Sequence, residues 1–214
     1  NRFKRFEANV LTYSVNNIFG PTIQGEGDLQ GTPCVFLRFS GCNLWSGYEK
    51  DRPMAVCKIC DTNFAKGVEM SANEIAGTFK TYIGEAEWIV ISGGEPLLQL
   101  DDELLDPLHA DDWLINVETN GTFNITNRDV EHISFSPKTS RNQIKLERCD
   151  SLKILWPDYE HLIEEYKDYP ARHKFLQPTD HGEGFDGKVL DKLYKLGADG
   201  WRLSPQLHKL IGVE

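Results

Sequence analysis

The sequence predicts an α/β fold built on a mostly parallel β-sheet. Short apolar runs rich in β-branched and aromatic residues recur along the chain, and helix-like segments lie between several of them. Strands that alternate with helices form βα units, which pair into parallel sheets. The run WIVIS at 88–92 is apolar on both faces, as expected of a strand that is covered on both sides.

Seven runs are predicted strands, and four segments are predicted helices. The strands are expected at 34–39, 87–92, 113–118, 132–136, 151–156, 173–177 and 200–204, and the helices at 71–83, 98–110, 157–169 and 185–197. The first helix opens with Ser71 and Glu74 in capping-box spacing, and the last ends at Gly197, a residue type that favours helix C-termini. Because strands outnumber long helices, some connections between strands are expected to be loops.

Length and composition indicate one globular domain over residues 1–214. Hydrophobic residues make up 40% of the chain and charged residues 26%, and no repeat or linker is evident. The formal net charge of −10 argues against a general nucleic-acid-binding protein, because such proteins carry an excess of Lys and Arg. No segment approaches the roughly 20 apolar residues that span a bilayer.

The cysteine content favours a reducing compartment. Five cysteines are an odd number, and their uneven spacing does not suit a disulfide scaffold. The sequence also shows no secretion signal. We therefore expect a cytoplasmic protein.

Polar, glycine- or proline-containing sequences follow four of the predicted strands. They are ISGGEP (91–96), VETNG (117–121), FSPK (135–138) and FLQP (175–178). Each by itself is as readily explained as a turn. Since ligands bind beyond the carboxyl ends of parallel strands, four such sequences at one edge of a sheet predict the rim of a binding site.

Three cysteines, Cys42, Cys57 and Cys60, lie in the segment 41–64 with the spacing C-x14-C-x2-C. A structural zinc site takes four ligands, usually from two close pairs, and only Cys57 and Cys60 form such a pair here. An iron–sulfur cluster of four irons can instead use three thiolates and leave one iron free for another molecule. From spacing alone, a zinc site, a cluster and three core thiols all stay open.

Further motifs resemble those of one enzyme family. TIQGEG, the C-x14-C-x2-C spacing, CDTNF, ISGGEP, VETNG, SPK and the C-terminal HKLIGVE together resemble 7-carboxy-7-deazaguanine synthases, which are radical S-adenosylmethionine (SAM) enzymes. The resemblance covers about residue 15 to 214. The long first cysteine spacing departs from the C-x3-C-x2-C loop of most radical SAM proteins and is a variant within this family.

The resemblance implies a fold and an assembly. The fold is a truncated, elaborated parallel (β/α) partial barrel of about six strands, of the radical SAM type. Residues 43–56 are an insertion in the cluster loop, expected to fold over the cluster as a small cap. The protein is expected to be a homodimer.

The implied reaction is a ring contraction in the biosynthesis of queuosine-type 7-deazapurines. 6-Carboxy-5,6,7,8-tetrahydropterin becomes 7-carboxy-7-deazaguanine with loss of ammonia. One electron enters a 4Fe–4S cluster, SAM is cleaved to methionine and a 5′-deoxyadenosyl radical, and SAM is re-formed after hydrogen is abstracted from the pterin. Two alternatives are a radical SAM enzyme of another reaction, such as a glycyl-radical activase, and a non-enzymatic zinc-binding or redox-sensing module.

The resemblance also implies partners. A pterin is the substrate, a flavodoxin-type protein is the electron donor, and no direct contact with nucleic acid or a membrane is expected. Lys50, Arg52, Lys58 and Lys66 near the cysteines are candidates for a basic patch that meets an acidic flavodoxin, although a solvated face explains them equally well.

The cofactor sites follow from the resemblance residue by residue. Cys42, Cys57 and Cys60 ligate the cluster, and Cys34 and Cys149 do not. Thr62 binds Mg²⁺, an ion that needs only one or two protein oxygens beside water and substrate oxygens. The residues implied for SAM are Ile59, Asp61, Gly93, Gly94, Glu95, Glu118, Asn120, Ser136, Pro137, Lys138, Gln177 and Pro178.

Some of these positions carry an argument of their own. Gly93 and Gly94 would let the backbone approach a ligand where a Cβ would intrude. By the resemblance, Glu95 accepts a hydrogen bond from the SAM amino group. A salt-bridged surface glutamate is the alternative for Glu118.

The substrate site is implied in the same way. Its residues are Ile23, Gln24, Gly25, Glu26, Arg38, Ser92, His208 and the terminal Glu214, whose main-chain carboxylate would reach the substrate ring. The period of two in CVFLRF puts Phe36 and Arg38 on one face, and an Arg in so apolar a strand needs an anion, either the substrate carboxylate or a protein carboxylate. The apolar character of LIGV predicts a C-terminal segment that docks onto the protein.

Overall fold

One β-sheet organises the computed structural model, which describes residues 11–60, 62–125, 129–180, 184 and 186–213. Within these residues nine strands pair in the order β3-β1-β2-β4-β5-β6-β7-β8-β9. The strands are β1 (Thr12–Ile23), β2 (Pro33–Phe39), β3 (Val68–Ser71), β4 (Trp88–Gly93), β5 (Leu114–Thr119), β6 (His132–Phe135), β7 (Cys149–Trp156), β8 (Ala171–Pro178) and β9 (Trp201–Leu203).

The sheet is mostly parallel, which confirms the predicted fold class. β2 and β4 to β9 run parallel to one another, whereas β1 is antiparallel to both β2 and β3. The sequence did not reveal the two antiparallel strands. β1 mixes Asn, Ser and Gly into its apolar run, and β3 has only four residues, so neither shows a clear period of two.

The described α-helices are short. They are α1 (Ala72–Phe79), α2 (Asp102–Ala110), α3 (Ile163–Tyr166), α4 (Val189–Leu196) and α5 (Leu207–Ile211). The predicted capping box of α1 forms, since Ser71 Oγ accepts from the Glu74 amide and the Glu74 carboxylate accepts from the Ser71 amide. No helix among the described residues has the length and apolar character that a membrane crossing requires.

The predicted helix at 157–169 is the largest departure from expectation. A 3₁₀ turn occupies Glu160–Leu162, and only Ile163–Tyr166 is α-helical. Tyr166 and Tyr169 both pack against Phe135 of β6, with ring centroids 5.8 and 5.0 Å away. Their hydroxyls donate to backbone carbonyls, so tertiary packing overrides the local helical tendency here.

Alternation along the strands separates an apolar face of the sheet from a polar one. On β2, Val35, Leu37 and Phe39 are fully buried in the hydrophobic core, and Arg38 points to the other face. On β7 the same alternation puts Lys153 opposite its core neighbours Leu152 and Ile154. The functional side chains therefore gather on the polar face.

Candidate active site

Two adjoining cavities lie on the polar face of the sheet. The first, of about 540 Å³, contains Cys42, Cys57 and Cys60 in its wall, and we call it the cysteine cavity. The second, of about 460 Å³, contains Arg38 and His208, and we call it the arginine cavity. Four residues line both cavities and mark their junction: Glu26, Thr62, Glu118 and Gln206.

Most of the residues predicted from the sequence line one or both cavities. Those in the wall of the cysteine cavity are Glu26, Cys42, Cys57, Ile59, Cys60, Thr62, Gly93, Gly94, Glu118, Asn120, Ser136, Lys138 and Gln177. Those in the wall of the arginine cavity are Ile23, Gln24, Glu26, Arg38, Thr62, Ser92, Glu118 and His208. Gly25, Glu95, Pro137 and Pro178 are in neither wall. Asp61 and Glu214 lie outside the described residues.

Leu44 explains how Cys42 and Cys57, which fourteen intervening residues separate, come to the same cavity. Its amide donates to Cys42 Sγ at 3.4 Å. Its carbonyl accepts from the amides of Val56 and Cys57, at 3.0 and 3.2 Å. The insertion is therefore a closed loop whose two ends meet at Leu44.

Side-chain contacts of Trp45 and Arg52 also hold the insertion in place. Trp45 is buried, packs edge-on against Phe64 at 5.4 Å between centroids, and lies 3.9 Å beneath the Arg52 guanidinium. Arg52 donates to the carbonyls of Lys58 and Cys60, at 2.8 and 3.3 Å. Since Leu44, Trp45 and Arg52 all line the cysteine cavity, the insertion, which we call the cap, forms part of the wall of that cavity. Its expected position over a bound cluster stays a prediction.

The three cysteines have the chemistry that an iron–sulfur cluster requires. All are free thiols, with Cys57 buried and Cys42 and Cys60 half-buried. Burial raises the pKa of Cys42, although hydrogen bonds from the Leu44 and Trp45 amides oppose it. In the described residues, no three Cys, His, Asp or Glu side chains converge on the position of a single ion. Three thiols in the wall of one cavity are the ligand type that an iron–sulfur cluster takes.

The other two cysteines lie away from both cavities. Cys34 on β2 is fully buried, and burial raises its pKa to about 12. Cys149 on β7 is also buried, and burial raises its pKa as well. Neither lines a cavity, which agrees with the expectation that they are not ligands.

Backbone packing requires Gly93 and Gly94. Gly93 has φ +121°, and a Cβ there would lie 2.2 Å from the Phe39 carbonyl oxygen. A Cβ on Gly94 would lie 1.9 Å from the Gly41 carbonyl oxygen. The end of β4 is thus pressed against the end of β2, where the cluster loop begins. The close contact between the two strand ends therefore requires glycine at both positions, in addition to the expected approach of a ligand.

Glu95 is fully buried and is bonded to protein groups. Its carboxylate accepts from Thr119 Oγ1 at 2.7 Å, from the Asn120 amide at 2.8 Å and from the Leu97 amide at 3.1 Å. Burial raises its pKa against the effect of these bonds. Glu95 therefore ties β4 to the end of β5, and its predicted bond to SAM stays a prediction.

Lys153 is the buried charge at the junction of the two cavities. Its Nζ lies 2.6 Å from Glu26 Oε2 and 3.1 Å from Glu118 Oε1, and its side chain is 4% exposed. Burial by itself disfavours the charged amine, but the two carboxylates outweigh it and raise the pKa of Lys153. Burial likewise raises the pKa of Glu26. The charge of Lys153 and the hydrogen bonds from Lys153 and Gln206 outweigh this effect, and they lower the pKa of Glu26 to about 2. Glu26 and Lys153 are therefore both charged at neutral pH.

Glu118 accepts hydrogen bonds from side chains on two strands and a loop. It accepts from Ser92 Oγ at 3.2 Å and from Gln24 Nε2 at 3.1 Å, besides Lys153. Glu118 is thus in a salt bridge, as the alternative proposed, but the pair lies within the cavity wall and not on an open surface.

Arg38 lies where the period of two predicted, on the same face of β2 as Phe36. Its guanidinium carbon is 4.6 Å from the Phe19 ring centroid and 5.8 Å from that of Phe36. The two rings stack in parallel, 5.0 Å apart. Aromatic packing fixes the plane of the guanidinium in the wall of the arginine cavity.

The C-terminal segment contacts the loop after β1 just before LIGV, but the prediction that LIGV itself docks is wrong, because Leu210, Ile211 and Val213 are 58%, 56% and 42% exposed. The Leu207 amide donates to the Gly25 carbonyl at 2.9 Å, and Gln30 Nε2 donates to the carbonyls of Gly25 and Pro205. His208 packs so closely on Gly25 that a Cβ there would lie 1.8 Å from the imidazole Nδ1. The loop after β1 and the C-terminal segment thus form one wall.

Sequence reasoning missed three residues that the structure brings to the site. Lys153 could have been predicted from the sequence. It lies two residues after Ser151 in the strand SLKILW, so both side chains are on the same face, and a charged residue there indicates the polar face. Gln206, which donates to Glu26 Oε1 at 2.8 Å, follows the last strand with no pattern that singles it out. Tyr159 belongs to a segment predicted as helix, and only the fold places its hydroxyl 3.6 Å from Cys57 Sγ.

Two buried oxygens in the cysteine cavity have no hydrogen-bond partner within the described part of the chain. They are Gln177 Oε1, on a side chain that is 2% exposed, and Thr179 Oγ1. Buried polar atoms are nearly always bonded, because an unpaired one costs about 1–3 kcal/mol. These two atoms fit a ligand with hydrogen-bond donors beside the cysteines, which is what an adenine amine or a ribose would supply.

Comparisons with known proteins agree on one family. The chain is 40% identical over 212 residues to the 7-carboxy-7-deazaguanine synthase of Bradyrhizobium diazoefficiens, an alignment that covers 95% of this chain and 100% of that protein. The synthase of Nitratidesulfovibrio vulgaris is 37% identical over 218 residues, with the same coverage. The crystal structure of QueE from Escherichia coli superposes with a TM-score of 0.67 at 23% identity, covering 92% of this chain and 95% of that one. No protein-family model matches the chain.

Proposed function

The chain belongs to the 7-carboxy-7-deazaguanine synthase family, and from that premise we propose that it forms 7-carboxy-7-deazaguanine from 6-carboxy-5,6,7,8-tetrahydropterin with loss of ammonia. The reaction serves the biosynthesis of queuosine-type 7-deazapurines. The cofactors that we propose are a 4Fe–4S cluster, SAM and Mg²⁺.

One observation carries the proposal: a cavity lined by three free thiols opens onto a cavity lined by an arginine and a histidine. The first suits a cluster with a nucleotide cofactor, since Gln177 and Thr179 hold buried oxygens that lack donors in the described residues. The second suits a small anionic substrate. Because the two share a wall, a cofactor in one would face a substrate in the other.

When bound, the cluster with SAM supplies one-electron radical chemistry, and the chain supplies binding, orientation and the exclusion of water. Cys42, Cys57 and Cys60 would hold the cluster. Trp45 and Arg52 of the cap cover this end of the cavity and limit solvent access.

The arginine cavity would orient the pterin. The fork of Arg38 matches the substrate carboxylate, and the flanking phenylalanines keep it in plane. The carboxyl oxygens of Glu26 and Glu118, which both pair with Lys153, can accept hydrogen bonds from the N–H groups along a pterin edge. Thr62 lines both cavities, a position from which its oxygen could bind a Mg²⁺ shared with the substrate.

A product assay tests the function. The protein is reconstituted anaerobically with iron and sulfide and supplied with SAM, Mg²⁺, a one-electron reductant and 6-carboxy-5,6,7,8-tetrahydropterin. Mass spectrometry should detect 7-carboxy-7-deazaguanine and one ammonia per product. A brown protein that cleaves SAM but forms no deazapurine would favour a radical SAM enzyme of another reaction. A colourless protein with one zinc per chain would favour the zinc module.

Other features remain part of the proposal. The described core is one continuous cluster from Tyr13 to Trp201, which supports a single domain. We propose a homodimer and a flavodoxin-type electron donor from the family resemblance. The cytoplasmic location stays a prediction.

A further inference from the structure

We propose that Tyr159 is a positioning residue that raises the reduction potential of the cluster by donating a hydrogen bond to the Cys57 sulfur. The inference rests on the proposed function in one respect, which is that Cys57 ligates a cluster. It concerns a residue that lines neither cavity and so touches neither SAM nor the substrate.

Tyr159 is built into the wall behind the cluster loop. It follows β7, its amide donates to the Leu155 carbonyl at 2.9 Å, and its side chain is 6% exposed. The hydroxyl lies 3.6 Å from Cys57 Sγ, within the range for a bond to sulfur. The ring is held on one face by Lys138, whose Nζ is 5.6 Å from the centroid.

Cluster ligation decides the direction of this bond. In the free thiol, Cys57 Sγ donates to the Ile59 carbonyl at 3.3 Å. A ligating cysteine is a thiolate, which has no proton to donate and accepts only. The Tyr159 hydroxyl is already oriented as a donor to Cys57 Sγ. The Tyr159 hydroxyl therefore donates to the thiolate.

The bond acts on the redox equilibrium because reduction adds negative charge to the sulfurs. The half-reaction takes one electron from a one-electron reductant and converts the oxidised 2+ cluster to the 1+ state, without proton transfer from Tyr159. A donor facing a ligand sulfur is strengthened by the added charge, so it stabilises the reduced state more than the oxidised state. Removing the donor should make the cluster harder to reduce.

The chain offers matched controls. Tyr166 and Tyr169 are buried tyrosines a few residues further on, but their hydroxyls donate to the carbonyls of Thr139 and Leu146. Tyr159→Phe and Tyr166→Phe each remove one oxygen from the same aromatic region. Only the first removes a donor to sulfur.

The experiment is a potentiometric titration of the reconstituted protein, monitored by electron paramagnetic resonance, without SAM or pterin. At the wild-type midpoint potential, Tyr159→Phe should hold about tenfold less reduced than oxidised cluster, equivalent to about 59 mV for one electron. Tyr166→Phe should match the wild type. Incorporation of 3-fluorotyrosine at position 159, a stronger donor of the same shape, should shift the potential upward, and it decides the matter if the Phe variant takes up no iron.

The outcomes are distinguishable. Equal potentials for the wild type, Tyr159→Phe and the fluorotyrosine protein would overturn the inference and leave the proposed function intact. An equal fall in both Phe variants would show a packing effect and would also overturn it. A wild-type protein that assembles no four-iron cluster would overturn both proposals.

Discussion

The two cavities are built by different physical means. The cysteine cavity is held by loops: backbone bonds to Leu44 close the cap, and Arg52 fastens it with bonds to two carbonyls. The arginine cavity is held by strands: Arg38, Glu118 and Lys153 project from β2, β5 and β7, and an ion pair links the last two. Loops can rearrange around an incoming cluster, whereas strands hold charges at fixed separations. The loop-built cysteine cavity therefore suits a cofactor that is assembled after folding. The strand-built arginine cavity suits a small substrate that must be oriented.

The largest effect should come from removing a cluster ligand. Cys57→Ala should abolish cluster assembly and activity together, because a four-iron cluster with two protein ligands is not held. Cys149→Ala removes an equally buried thiol outside the cavity and should leave both unchanged. Iron content and the visible spectrum measure the result. A fully loaded, active Cys57→Ala protein would refute the loop as the cluster site.

Removing Lys153 from its ion pairs at the junction of the two cavities should lower the free energy of unfolding more than removing a lysine from a surface ion pair. Lys153→Met leaves Glu26 and Glu118 facing each other without their cation, and the loss of one partner from a buried ion pair costs about 3–5 kcal/mol. Lys192→Met removes a half-exposed pair with Glu160 and should cost about 1 kcal/mol or less. Urea unfolding of the apoproteins measures both. Equal losses would mean that the buried network is not under strong electrostatic control.

Arg38→Lys should separate substrate binding from cofactor binding. A point charge cannot reproduce the bidentate fork, so kcat/KM for the pterin should fall roughly 10- to 100-fold, while the Kd for SAM changes little. Arg202→Lys is a matched control, since that guanidinium also stacks on a phenylalanine, at 4.7 Å, but outside both cavities. If pterin and SAM are affected alike, Arg38 has a structural role.

A smaller effect is expected from acid. The pKa of Glu26 is lowered from 4.5 to about 2 in the folded protein, so the unfolded chain binds more protons between these values. The stability that ionised Glu26 contributes is thus fully present above about pH 4.5 and is lost as the pH falls toward 2.

The check is a comparison of the wild type with Glu26→Gln. The difference in their free energy of unfolding should shrink by about half or more between pH 5 and pH 3. A difference that stays constant over this range would show that Glu26 does not hold its charge through Lys153.

The sequence by itself determined the parallel sheet, the spacing of the three cysteines and the edge of the sheet where a site was expected. These follow from local patterns: apolar runs with a period of two, and motifs at the carboxyl ends of strands, which a parallel sheet must bring to one edge. Most of the individual cavity residues were predicted from the family resemblance of the motifs that contain them. The face of Arg38 was predictable for the same reason, because strand parity is fixed by the backbone.

Only the tertiary structure decided which charges meet. Lys153 is 127 residues from Glu26 and 35 from Glu118, and no local pattern pairs groups so far apart. The same holds for Tyr159 and Cys57, 102 residues apart, whose contact depends on a segment that packs as a short turn instead of the predicted helix. The antiparallel β1 and β3 were also set by pairing rather than by propensity. Local periodicity reports the face on which a side chain lies, and only the assembled sheet determines what lies opposite it.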